Sequence, residues 1–152
     1  MSKNPIFCAL DRPDLEGALA LARAVAPHVG GVKLGLEFFT AQGPRGVEAV
    51  QAVGLPVFLD LKLHDIPNTV AGAVRAAAGL GVAMLTLHAA GGRAMIEAAV
   101  EAAAGASARP RLLGVTVLTS LDAADLAATG VAAPVAEHAL KLGRLSLAAG
   151  LD

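Results

Sequence analysis

Short apolar runs alternate along this 152-residue chain with alanine-rich segments of helical length, and that alternation restricts the fold more than anything else in the sequence. Strands are predicted over 6–10, 31–36, 57–62, 82–88 and 111–118. Helices follow each in turn: one capped by Asp14 and running to about 26, then 44–53, 67–80 and 93–104. Beyond the fifth strand come a short helix over 123–128 and a longer one over 135–149. Strict strand–helix alternation argues for parallel strands with right-handed crossovers. Hydrophobic residues make up 55% of the chain and charged ones 16%, which suits strands buried on both faces. Without a linker or a repeat, residues 1–152 read as one domain.

The polar residues fall where the predicted strands end: Asp11, Lys33, Asp60 with Lys62, His88, and Thr119 with Ser120. In a (β/α)8 barrel the C-terminal strand ends converge on one face, which carries the active site. The expected class is therefore α/β, a partial (β/α)8 TIM barrel comprising about the first five βα units. A closed barrel takes about 250 residues, so about three units are expected beyond Asp152. An open doubly wound sheet is the alternative; the charge placement favours the barrel.

A net charge of −1 gives no field for nucleic acid or an anionic membrane. Tyr and Trp are absent, so no base-stacking platform is expected. Cys8 is the single cysteine and excludes an intrachain disulfide. The chain start meets Asp11 and Arg12 too soon for a signal-peptide core. The low-charge stretch over 76–92 is shorter than the ~20 residues of a membrane span. A cytoplasmic protein is expected.

The stretch Leu59-Asp60-Leu61-Lys62-Leu63-His64-Asp65-Ile66-Pro67-Asn68-Thr69 concentrates the chemistry. Residues two apart on a strand share a face, so Asp60 and Lys62 stand about 7 Å apart along the chain on one side. Asp65 lies past the strand end, where Pro67 suits the first turn of a helix. Charges at a buried strand end must be paired, because desolvating them singly is costly. A salt-bridged strand end and a charged reaction centre both meet that requirement.

By the same alternation His64 is expected to face away from Asp60 and Lys62. His88 reads as a hydrogen-bonded supporting residue rather than a base. His28 and His138 read as helix-end or surface residues, and Cys8 as core packing. Glu37 fits either the polar face or solvent. Gly91-Gly92 before a helix suits a phosphate or a plain tight turn.

Asp60-x-Lys62-x-x-Asp65 followed by Ile66-Pro67-Asn68-Thr69 resembles the signature of the orotidine 5′-phosphate decarboxylase family. Ala9-Leu10-Asp11, Lys33-Leu34-Gly35, His88-Ala89 with Gly91-Gly92, and Val115-Thr116-Val117-Leu118-Thr119-Ser120 match the same family in order. The resemblance implies decarboxylation of orotidine 5′-phosphate to uridine 5′-phosphate in pyrimidine biosynthesis, without metal or organic cofactor. By the same resemblance Lys62 donates the proton to C6, Asp60 lies beside the substrate carboxylate, and Asp65 acts across a homodimer interface in a shared site, with Ile66 and Thr69 beside it. Asp11 and Lys33 are implied to hold the ribose, and Thr119 to face the pyrimidine. The family's phosphate grip follows later strands, so residues 1–152 alone are expected to be inactive or poor in catalysis. Arg109, Arg111 and Arg144 do not match it.

Three other readings stay open. A ketogulonate-phosphate-type decarboxylase carries a similar Asp-x-Lys-x-x-Asp but needs a metal-binding acid on the second strand, where this chain has Lys33. A pentose-phosphate epimerase would need a His-x-Asp there. The third is a catalytically inactive barrel fragment.

Overall fold

The computed structural model describes residues 4–152; the first three residues of the chain start considered above as a possible signal peptide lie outside them. The element order is β1 (Phe7–Ala9), α1 (Leu15–Val25), β2 (Gly31–Gly35), α2 (Leu36–Gln51), β3 (Val57–Leu63), α3 (Pro67–Gly79), β4 (Met84–His88), α4 (Arg93–Ala104), β5 (Arg111–Val115), α5 (Ala123–Ala128) and α6 (Val135–Ala148). All strand pairs are parallel and the sheet order is β1-β2-β3-β4-β5. A doubly wound sheet needs a reversal in strand order. Sequential order with right-handed crossovers instead keeps the helices to one side. The sheet is an arc of a barrel, and the open-sheet alternative is set aside.

Strand alternation divides the two faces. Val32, Leu34, Val57, Leu59, Leu85, Leu87 and Leu112 are no more than 1% exposed and form the core beneath the helices. Lys33, Phe58, Asp60, Met84, Thr86 and His88 alternate with them on the opposite face. Helix starts follow local chemistry. The Asp14 carboxylate accepts the Gly17 amide at 2.6 Å, satisfying one orphan donor of α1. Pro67 opens α3, where its missing N–H costs nothing. Asp122 and Asp125 form a reciprocal capping box at α5. Helices α3 and α4 pack together, with Val70, Val74 and Ala77 buried on one and Ala99 and Ala103 on the other.

Three details differ from the sequence reading. Helix α2 starts directly after β2, at Leu36, and continues through a kink at Gly43 with φ 61°. Phe38 is buried there, so the extra turns bring an aromatic ring into the core. The expected start at Pro44 marks only the second segment. Strand β5 stops at Val115 rather than 118. Strand β3 does not run regularly: four residue steps from Leu59 to Leu63 pair against two of β4, from Leu85 to Leu87. That slip sits where the charged residues are. Among the described residues no helix is long and apolar enough to cross a membrane.

Candidate active site

Inside the β3 irregularity Lys62 has φ 52°, the only positive φ of a non-glycine residue among those described. This left-handed conformation is uncommon outside glycine and is held only where neighbouring groups impose it. Bulges of this kind re-aim side chains at barrel rims. Here the result is that the Lys62 ammonium turns back to Asp60, with Nζ 2.9 Å from Oδ2.

Lys33, from β2, reaches the same Oδ2 at 3.4 Å. The other carboxylate oxygen, Oδ1, accepts a hydrogen bond from the Thr86 hydroxyl at 2.9 Å. That hydroxyl in turn accepts the backbone N–H of Lys62 at 2.9 Å. Burial pushes the Asp60 carboxyl upward, but the hydrogen bonds from Lys62 and Thr86 and the charges of Lys62 and Lys33 outweigh it. Asp60 is left below the usual carboxylate range, ionised, with two cations against one anion. Such a site favours negative charge developing beside Lys62 and can deliver a proton to it.

The structure brings together Lys33, Asp60 and Lys62. The other expected site residues, Asp11, Asp65, Ile66, Thr69 and Thr119, are exposed beyond the C-terminal ends of their strands and make no hydrogen bond or ion pair with this cluster. The Asp65 carboxylate accepts the Ile66 amide at 2.7 Å and makes no ion pair with Lys62 within this chain. Thr119 stands in a turn, four residues past the last residue of β5. Glu37 is exposed in the first turn of α2, away from the strand.

Past the β3 slip the His64 ring lies against that of His88, centroids 5.4 Å apart, and makes no hydrogen bond or ion pair with Asp60 or Lys62. Burial, then the nearby charges of His64 and Lys62, hold His88 below the ordinary histidine range. Both rings line a cavity of about 250 Å³ with Thr116, Leu126, His138 and Leu142. Gly91-Gly92 forms a tight turn in which Gly92 has φ 85° and its amide bonds the Ala89 carbonyl at 3.1 Å. Arg109 pairs with Asp152 at 2.9 Å, near the N-terminal end of β5 and away from the charged cluster.

Thr86 is the residue that sequence reasoning missed. Attention to strand ends passed over a mid-strand position. The available signal was a single hydroxyl in Met84-Leu85-Thr86-Leu87-His88, two residues before His88 and on its face.

A family model described as Orotidine 5′-phosphate decarboxylase / HUMPS family matches residues 4–152. The chain belongs to this family. It is 55% identical over 149 residues to the orotidine 5′-phosphate decarboxylase of Novosphingobium aromaticivorans, covering 98% of this chain. The chain spans 65% of the length of that relative. A crystal structure of an uncharacterised conserved protein from Geobacillus kaustophilus is similar with a TM-score of 0.90 at 39% identity, covering 97% of this chain and 71% of that one. The orotidine 5′-phosphate decarboxylase of Lactobacillus acidophilus gives a TM-score of 0.84 at 35% identity, covering 99% and 70% respectively. The arc of five strands is thus part of the family's barrel.

Proposed function

We propose that the complete protein is a cytoplasmic orotidine 5′-phosphate decarboxylase of pyrimidine biosynthesis, with Lys62 as the proton donor. The bond between C6 and the carboxylate breaks, carbon dioxide leaves, and the electron pair stays on C6. No adjacent carbonyl delocalises that pair, so a fixed cation must stabilise it. The Lys62 ammonium then transfers a proton to C6 and is recharged from solvent. Asp60 orients the Lys62 ammonium, and Lys33 adds a second positive charge. Asp11 and Lys33 bind the ribose and Thr119 the pyrimidine edge. The observation that carries this reading is the Lys62 ammonium held 2.9 Å from a buried, ionised Asp60.

Asp65, with Ile66 and Thr69, serves a neighbouring subunit's site in a homodimer. In support, all three are exposed just past β3, and Ile66 is 66% exposed despite being apolar. The metal-dependent ketogulonate-phosphate alternative needs an acid where the Lys33 ammonium stands, so activity should survive a chelator.

In the full-length protein Lys62→Ala should lower kcat/KM on the order of 10²–10⁴-fold or more, the range of a general acid. Binding of uridine 5′-phosphate should persist. Near-normal turnover by that variant would refute the assignment.

A further inference from the structure

We propose that Thr86 is a positioning residue for Lys62, its hydroxyl tying the Lys62 backbone to the Asp60 carboxylate and so setting where the ammonium points. This rests on the decarboxylase reading above and names a residue that reading does not use. Thr86 is buried within the sheet, only 4% exposed. A carboxylate only accepts and an amide N–H only donates, so the hydroxyl proton has one place to go. It is donated to Asp60 Oδ1, while a lone pair takes the Lys62 N–H.

The contacts close into a loop. Asp60 Oδ1 is held by Thr86, Thr86 holds the Lys62 amide, and the Lys62 ammonium returns to Asp60 Oδ2. Two orientations are set together: the plane of the carboxylate and the left-handed backbone at φ 52°. At this point β3 has slipped past β4 by two residues, and the Lys62 amide finds its partner in the Thr86 side chain. Removing the hydroxyl orphans a part-buried amide and a carboxylate oxygen at once. Lys62 can then relax toward extended backbone, which carries the ammonium away from its aim. Placement errors of about 1 Å in a reacting group cost on the order of 100-fold in rate.

Thr86→Val keeps the shape and deletes the hydroxyl; Thr86→Ser keeps the hydroxyl. In the full-length protein, Thr86→Val should lower kcat on the order of 100-fold and leave KM for orotidine 5′-phosphate within about threefold. Thr86→Ser should recover kcat to within about fivefold of the parent, because the donor and acceptor are restored. A carboxyl-carbon NMR titration of Asp60 should show its midpoint raised by Thr86→Val and not by Thr86→Ser. Thr86→Ala gives the same comparison if the valine variant does not fold. If the parent fails to decarboxylate orotidine 5′-phosphate, the activity reading falls, and the titration still decides the role of Thr86. A folded Thr86→Val protein with parental kcat, or with an unmoved Asp60 midpoint, would overturn the inference.

Discussion

Asp60 takes two ammonium groups on one oxygen and a hydroxyl on the other, and its titration reports that arrangement. Its folded value lies below the ordinary one, about 3.9, because hydrogen bonds from Lys62 and Thr86 and two positive charges override the opposing effect of burial. The unfolded chain therefore binds the proton more readily. The stabilisation is complete above about pH 3.9 and is lost as pH falls through the folded value. Asp60→Asn also leaves Lys33 and Lys62 facing each other without an anion. It should be less stable than the parent at pH 7, and the gap between their urea midpoints should narrow below about pH 4. A gap that stays constant down to pH 3 would rule out this linkage. His88 has the same sign for a different cause: burial and the charges of His64 and Lys62 disfavour its protonation. Stability should decline as pH drops below about 6.5, the ordinary histidine value. His88→Gln should flatten that decline, as followed by urea midpoints between pH 7 and 5.

The β3 slip shows how an element can be foreseen while its decisive detail is not. Alternating residues and Pro67 place the strand and the following helix correctly, yet pairing with β4 determines which residues are extra. Close approach of α6 to β5 depends on another such detail. A Cβ on Gly114 would lie 2.5 Å from Ser146 Oγ and 3.0 Å from the Ser146 Cβ. Gly114→Val should destabilise the protein by about 1–3 kcal/mol through overpacking. Gly143, within α6, has nothing within 4 Å of the added carbon. Gly143→Ala should instead stabilise by about 0.5–1 kcal/mol, since glycine loses more freedom on entering a helix. Thermal or denaturant melts of the two variants test both signs, and equal shifts would contradict the packing account.

For the molecule as a whole, the shared site proposed above can be tested with two variants. Asp65→Ala and Lys62→Ala proteins should each lose most of their activity. Mixed and allowed to exchange, they should regain activity in hybrid dimers, where one site keeps both residues. Exchange demonstrated by mass without any recovered activity would exclude sharing. Among the described residues β1 and β5 each pair on one side only within the sheet, and unpaired strand edges promote association. Residues 1–152 expressed alone should therefore tend to aggregate and show no turnover above that of Lys62→Ala. A monodisperse preparation with enzyme-like turnover, ~1–10³ s⁻¹, would contradict that expectation.

Strand and helix order, the parallel sheet, and the capping positions at Asp14 and Pro67 were legible in the sequence because they follow from local periodicity and end chemistry. Asp60, Lys62 and Lys33 were legible too, since charges in apolar strands must find partners. Three things were not: the left-handed Lys62, the hydroxyl of Thr86 and the contact of His64 with His88. Each depends on the register between β3 and β4, strands that meet only after a helix has intervened. Periodicity within one strand carries no record of how its neighbour slides against it. That register is chosen by the packing of the whole sheet, and it turned an alternating pair of charges into a clamped one.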